Sequence, residues 1–111
     1  MAKKPRNYNS IPKTIELFGR LIKVSDETGS INSKAFGEAR YGSNQIAVSK
    51  TVGSNHVTGE ELKLTFLHEM FHFILNFTGF EKQFVEKGID LEQFVELMAV
   101  GIFEYEKSAK Y

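Results

Sequence analysis

The stretch Leu67-His68-Glu69-Met70-Phe71-His72-Phe73 contains a complete H-E-x-x-H. On an α-helix, residues four apart lie one turn above each other, so His68 and His72 face the same way. Two imidazoles on one face can grip a single Zn²⁺, and Glu69 between them can reach water held there. The flanks favour a helix. Thr58-Gly59-Glu60-Glu61 reads as a capping box, and Leu62 to Thr78 contains neither Gly nor Pro before the stop at Gly79. The helix predicted from these signals is roughly 18–20 residues long, about 28 Å. Leu62, Leu64, Phe66, Leu67, Met70, Phe71, Phe73, Ile74, Leu75 and Phe77 make it apolar almost all round, which predicts burial. A buried His is more often a hydrogen-bonded core residue than a ligand. Two His and a Glu buried together cost several kcal/mol unless paired or bound to metal, and the metal reading wins.

Working outward toward the N-terminus, Gln45 to Lys50 and Ala35 to Tyr41 read as strands flanking a turn at Gly42-Ser43-Asn44. Gly37, Ala39, Glu38 and Arg40 suit an edge strand, which leaves backbone groups open to an incoming peptide. Thr14 to Phe18 and Leu21 to Ser25 form a second hairpin around Gly19-Arg20. Asp26 to Lys34 and Thr51 to Val57 read as loops, and residues 1–10 as a flexible, basic arm containing Lys3, Lys4 and Arg6. Toward the C-terminus, Thr78 to Gly88 is a connector with a helical turn or two at Glu81 to Glu86. Asp90, with Gln93 three residues on, caps a last helix running to about Lys107. Its main apolar stripe is Leu91, Phe94, Val95, Met98 and Ile102, widened by Ala99 and Phe103. The expected fold is α+β: a small antiparallel sheet of two hairpins packed on the H-E-x-x-H helix and the C-terminal helix. Residues 11–107 make one domain and 108–111 a tail.

The composition narrows the chemistry. The 111 residues contain no Cys, which excludes disulfides and thiolate metal sites, so a metal must be held by His and carboxylate. Fourteen basic and fourteen acidic side chains cancel, so no net field draws the chain to nucleic acid or an acidic membrane. The start lacks a signal-peptide pattern and no apolar run has the length of a membrane span, so a cytoplasmic monomer is expected.

A catalytic zinc site uses three protein ligands and keeps one position open. The third-ligand candidates are His56, in a Gly/Ser/Asn-rich loop and read as a surface residue, and a carboxylate from the last helix, Glu92 or Glu96. Spacing leaves the choice open: Glu92 stands nearer the centre of the apolar face, whereas a helical hairpin would set Glu96 nearer the level of His72.

The H-E-x-x-H helix, the short β-region before it and the Glu-bearing helix after it resemble a minimal gluzincin-type metallopeptidase. More narrowly, the chain is similar to the ImmA/IrrE-like and small phage-encoded metallopeptidases, over roughly residues 11–106. Leu91-Glu92-Gln93-Phe94-Val95-Glu96-Leu97-Met98-Ala99 fits that family's second helix. The resemblance puts Glu92 in the ligand place, with Glu96 orienting a ligating His or serving as the alternative ligand. The chain departs from the ImmA/IrrE pattern at Met70-Phe71, where Leu-Gly is usual, and no large accessory domain is expected to follow. The resemblance implies a peptidase with one Zn²⁺ and Glu69 as general base, acting on a peptide or protein, with one regulatory protein as the target. Phe36, Glu38, Arg40 and Tyr41 would bind substrate in extended form, and Tyr41, Tyr105 and His56 are the candidates to stabilise the oxyanion. Either terminus could occupy the cleft until removed. The competing reading is a non-catalytic, zinc-stabilised interaction module.

Overall fold

A computed structural model describes residues 10–26, 36–52 and 55–111. Most of the basic arm (1–9) and most of the loop after Asp26 lie outside the described residues.

The two long helices begin at the caps their sequence predicts. In α1 (Gly59–Thr78), the Thr58 hydroxyl accepts from Glu61 N at 3.1 Å and the Glu61 carboxylate accepts from Thr58 N at 3.1 Å. Gly79, with φ of 79°, ends the helix in the left-handed conformation that costs glycine least. The connector forms a short helix, α2 (Phe80–Glu86). In α3 (Leu91–Ser108), the Asp90 carboxylate accepts from Gln93 N at 3.0 Å.

The strands are β1 (Thr14–Leu17), β2 (Arg20–Asp26), β3 (Gly37–Arg40) and β4 (Gln45–Val48). They form one sheet of order β1-β2-β4-β3. Both expected hairpins are present and antiparallel, β1 with β2 and β3 with β4. They join through β2 and β4, which run parallel, so the sheet is mixed and not wholly antiparallel. The reason is the long connection after β2. It lets the second hairpin arrive with β3 on the outside, and β3 is the edge strand its composition predicts.

Three other expectations need correcting. The first turn is Phe18-Gly19, one residue earlier than expected, because Leu17 pairs with Arg20. Both turn residues have positive φ, 52° and 77°, as a type I′ hairpin demands. The segment expected as a loop after Lys50 contains two short paired strands, β5 (Thr51–Val52) and β6 (Asn55–His56). On α3 the buried line is Val95, Ala99 and Phe103, while Met98 is 38% exposed. The face is rotated because α1 is the main neighbour of α3, while α2 meets it only near Phe94, through Phe84, and leaves Met98 uncovered.

α1 is the centre of the molecule. It packs against β3 and β4 on one side and α3 on the other. This is why its sequence is apolar almost all round. The core joins Ile22, Ile46 and Val48 of the sheet to Phe66, Leu67 and Phe73 of α1 and to Ala99 and Phe103 of α3. Phe73 is fully buried and stacks edge-on against Tyr41 and Phe77; burial of such a ring contributes about 2–3 kcal/mol. Among the described residues no helix is long and apolar enough to cross a membrane.

Candidate metal centre

α1 and α3 run antiparallel: Glu92 lies beside His68 and His72, whereas Glu106 lies beside Lys63 and Lys107 beside Glu60. The Asp90 cap starts α3 at the level of the histidines and so sets Glu92 in its first turn, facing α1. His68 and His72 sit one turn apart with ring centroids 5.0 Å apart. Their Nε2 atoms approach to 3.2 Å. Glu92 spans both, with Oε2 3.0 Å from His68 Nε2 and Oε1 3.0 Å from His72 Nε2. His68, His72 and Glu92 thus form a group that could hold a metal ion, every donor lying within 4.8 Å of the others.

Two features of the donors fit a cation. Ligands about 2.0–2.1 Å from a tetrahedral zinc are separated by roughly 3.3 Å, close to the spacings found here. The second is the hydrogen count. Glu96 Oε2 lies 2.9 Å from His68 Nδ1, so this nitrogen donates to a carboxylate. A neutral His68 then presents a bare lone pair at Nε2, facing the Glu92 carboxylate and His72 Nε2. Among the described residues no lysine or arginine pairs with either carboxylate. A divalent ion held between the donors would balance the two carboxylates and engage the lone pairs that face one another. The two rings are mostly buried, at 18% and 11% side-chain exposure, while Glu92 is 70% exposed, so the cluster opens to solvent on the Glu92 side.

Glu96 stands level with His68, not His72 as the hairpin argument suggested. Because the helices are antiparallel, moving forward along α3 moves backward along α1. The structure brings Glu92 to both Nε2 atoms and Glu96 to Nδ1 alone.

Glu69 lies on the same turn and points to the sheet side. Burial, first of all, raises its carboxyl from 4.5 to about 7; nearby Glu92 and Glu38 add to the rise and His68 opposes it. The edge strand comes unusually close here. A Cβ on Gly37 would lie 2.7 Å from Thr65 Cγ2, 2.8 Å from the Ala47 carbonyl oxygen and 3.6 Å from Glu69 Cγ. Only glycine lets β3 rest on α1 at this point. Sequence reasoning took Gly37 as a small edge residue; the close approach is a tertiary fact without a local signal.

The four substrate-binding candidates separate. Phe36, with Gly37, lines a cavity of about 460 Å³ that reaches His68 and Glu69. Glu38 and Arg40 instead pair with each other, and Arg40 Nη1 donates to Gln45 Oε1 at 3.3 Å, so they lie outside that lining. Tyr41 begins a 3₁₀ turn, Tyr41–Ser43, and its hydroxyl donates to Glu81 Oε2 at 3.0 Å. Burial and this bond hold the phenol well above its ordinary pKa, and Glu69 and Glu92 are close enough to add to the effect. Of the three oxyanion candidates Tyr41 is therefore beside the cluster. His56 is exposed on β6, and Tyr105 meets the Tyr111 hydroxyl near the far end of α3. The C-terminal tail leaves α3 sixteen residues beyond Glu92, about 24 Å along the axis.

No protein-family model, curated protein or solved structure matches the chain. The likeness to gluzincins therefore rests on the motif and its surroundings.

Proposed function

We propose that this protein is a zinc-dependent metallopeptidase of the gluzincin type. The observation that carries the reading is the convergence of His68 Nε2, His72 Nε2 and the Glu92 carboxylate, with Glu96 fixing the tautomer that turns the His68 lone pair inward. His68, His72 and Glu92 would hold the ion; zinc there supplies Lewis acidity toward a peptide carbonyl and acidifies water. Glu69 takes the proton from the attacking water and passes it to the leaving amine. Among the described residues Tyr41 is the phenol that senses Glu69 and Glu92, and it would donate toward the carbonyl oxygen only by exchanging its present acceptor, Glu81 Oε2, for the developing charge.

The extended substrate lies along β3. Ser49 N donates to Phe36 O at 2.9 Å, and Glu38 and Arg40 sit opposite Ala47 and Gln45. By the alternation of an antiparallel ladder, residues 36, 38 and 40 bond to β4, and Gly37 and Ala39 turn their N–H and C=O groups outward. Those groups can pair with a peptide passing Glu69.

A zinc clip without catalysis is the second reading, because the cluster ties α1 to α3. One experiment separates the two. Glu69→Gln should keep one zinc per chain while cleavage of an internally quenched peptide library falls by about 10²–10⁴. A variant that cleaves as fast as the unaltered protein would overturn the mechanism; an unaltered zinc protein that cleaves nothing would leave the clip.

A further inference from the structure

The cavity beside His68 and Glu69 runs along α1 toward its N-terminus, between β3 and Glu96. Its walls are Phe36 and Leu64. Its polar groups beyond the catalytic turn include the carboxylates of Glu61 and Glu96, and no lysine or arginine is among the described residues that line it. Each carboxylate has one oxygen engaged, Glu61 Oε1 with Thr58 N and Glu96 Oε2 with His68 Nδ1. A second oxygen on each remains to attract an incoming group.

An acidic side chain entering here would meet like charge. An apolar one would strip water from two carboxylates without replacing it. A side chain with a hydrocarbon stem and a cationic head satisfies both parts of the lining, its stem against Phe36 and Leu64 and its head among the carboxylates. Length is also needed: Glu61 lies eight residues before Glu69, about 12 Å along the helix, so a long side chain of roughly 6–7 Å sets its head beside Glu96 and in the field of Glu61 without touching Glu61. We propose that this cavity receives a lysine or arginine side chain of the substrate, next to the bond to be cut. The inference rests on the peptidase reading and supplies its substrate class.

Two measurements test it. In the first, zinc-loaded protein is given quenched peptides that differ at one position, Arg, Lys, norleucine or Glu. The basic peptides should lead norleucine by about tenfold in kcat/KM, with Glu last. Glu61→Gln, which keeps the capping box, should bring the ratio of basic to norleucine cleavage toward one, chiefly through KM. In the second, acetyl-arginine methylamide and acetyl-norleucine methylamide are titrated into zinc-loaded Glu69→Gln, with the amide resonances of Leu64 and Thr65 followed. The arginine compound should shift them at lower concentration. Cleavage without basic preference overturns the pocket assignment and leaves the peptidase. Selective binding of the arginine compound in a protein that cleaves nothing keeps the pocket and overturns the peptidase. Neither binding nor cleavage overturns both.

Discussion

α1 and α3 are joined by polar groups at two places, and the two are built differently. Near the start of α1, Lys63 meets Glu106 at 3.3 Å and donates to Ser10 O at 3.2 Å, and Lys107 meets Glu60 at 3.5 Å. Each acid there has its own cation. Nine residues on, two imidazoles and two carboxylates gather with donor atoms 2.9–3.2 Å apart and no basic side chain among them. Both clusters bridge the same helices. The first has a cation for each acid, although Glu106 Oε2 meets Lys63 as an ion pair and makes no hydrogen bond; the second would gain its cation with a bound metal. Charge balance, more than burial or proximity, separates the ion pairs at one end from the group that could hold a metal at the other.

The sharpest way to break this contrast is at the end where each acid has its cation. Lys63 is buried, so Lys63→Ala should leave Glu106 uncompensated and cost about 3–5 kcal/mol in denaturant unfolding, whereas Lys63→Met with Glu106→Leu should recover most of the loss. Neither change should alter zinc affinity; if it did, the two clusters would not be independent.

At the other end the metal-free protein should respond to pH. Glu69 is raised above its unfolded value, so the folded chain binds this proton more tightly. The contribution is therefore full below about 4.5 and declines as pH rises toward about 7. The decline is on the order of 2–3 kcal/mol, measured as a fall in the urea midpoint. Glu69→Gln should flatten that slope. A metal-free protein whose stability rose across the same window through Glu69 would contradict the assignment.

Much of this was legible in the sequence because its signals are local. The capping pairs Thr58 with Glu61 and Asp90 with Gln93 define where both long helices start, and the first places His68 and His72 on one face. The small Gly37 and Ala39 with the polar Glu38 and Arg40 mark the edge strand. What the sequence did not reveal depends on partners distant in the chain. The parallel join of β2 to β4 follows from which strands meet after a long connection, and the rotation of α3 from having α1 as its main neighbour. Choosing between Glu92 and Glu96 needed the antiparallel level of the helices, four residues apart being one full turn. The cavity has no local signal, since its lining comes from β3, α1 and α3, and Glu61 shows in the sequence only its capping role.

The smallest expected effect falls on Glu96. Since it touches His68 through Nδ1 and not Nε2, Glu96→Gln should weaken zinc binding by about tenfold without changing stoichiometry, measured by competition with a chromophoric chelator. Loss of stoichiometric binding would make it a ligand instead.

The most direct test of the central claim is anomalous diffraction at the zinc edge from crystals grown with one equivalent of the metal. The account predicts one dominant peak about 2.0–2.2 Å from His68 Nε2, His72 Nε2 and a Glu92 oxygen, with Glu96 still on His68 Nδ1. A cluster without a peak, or zinc bound only at other carboxylates, would contradict it.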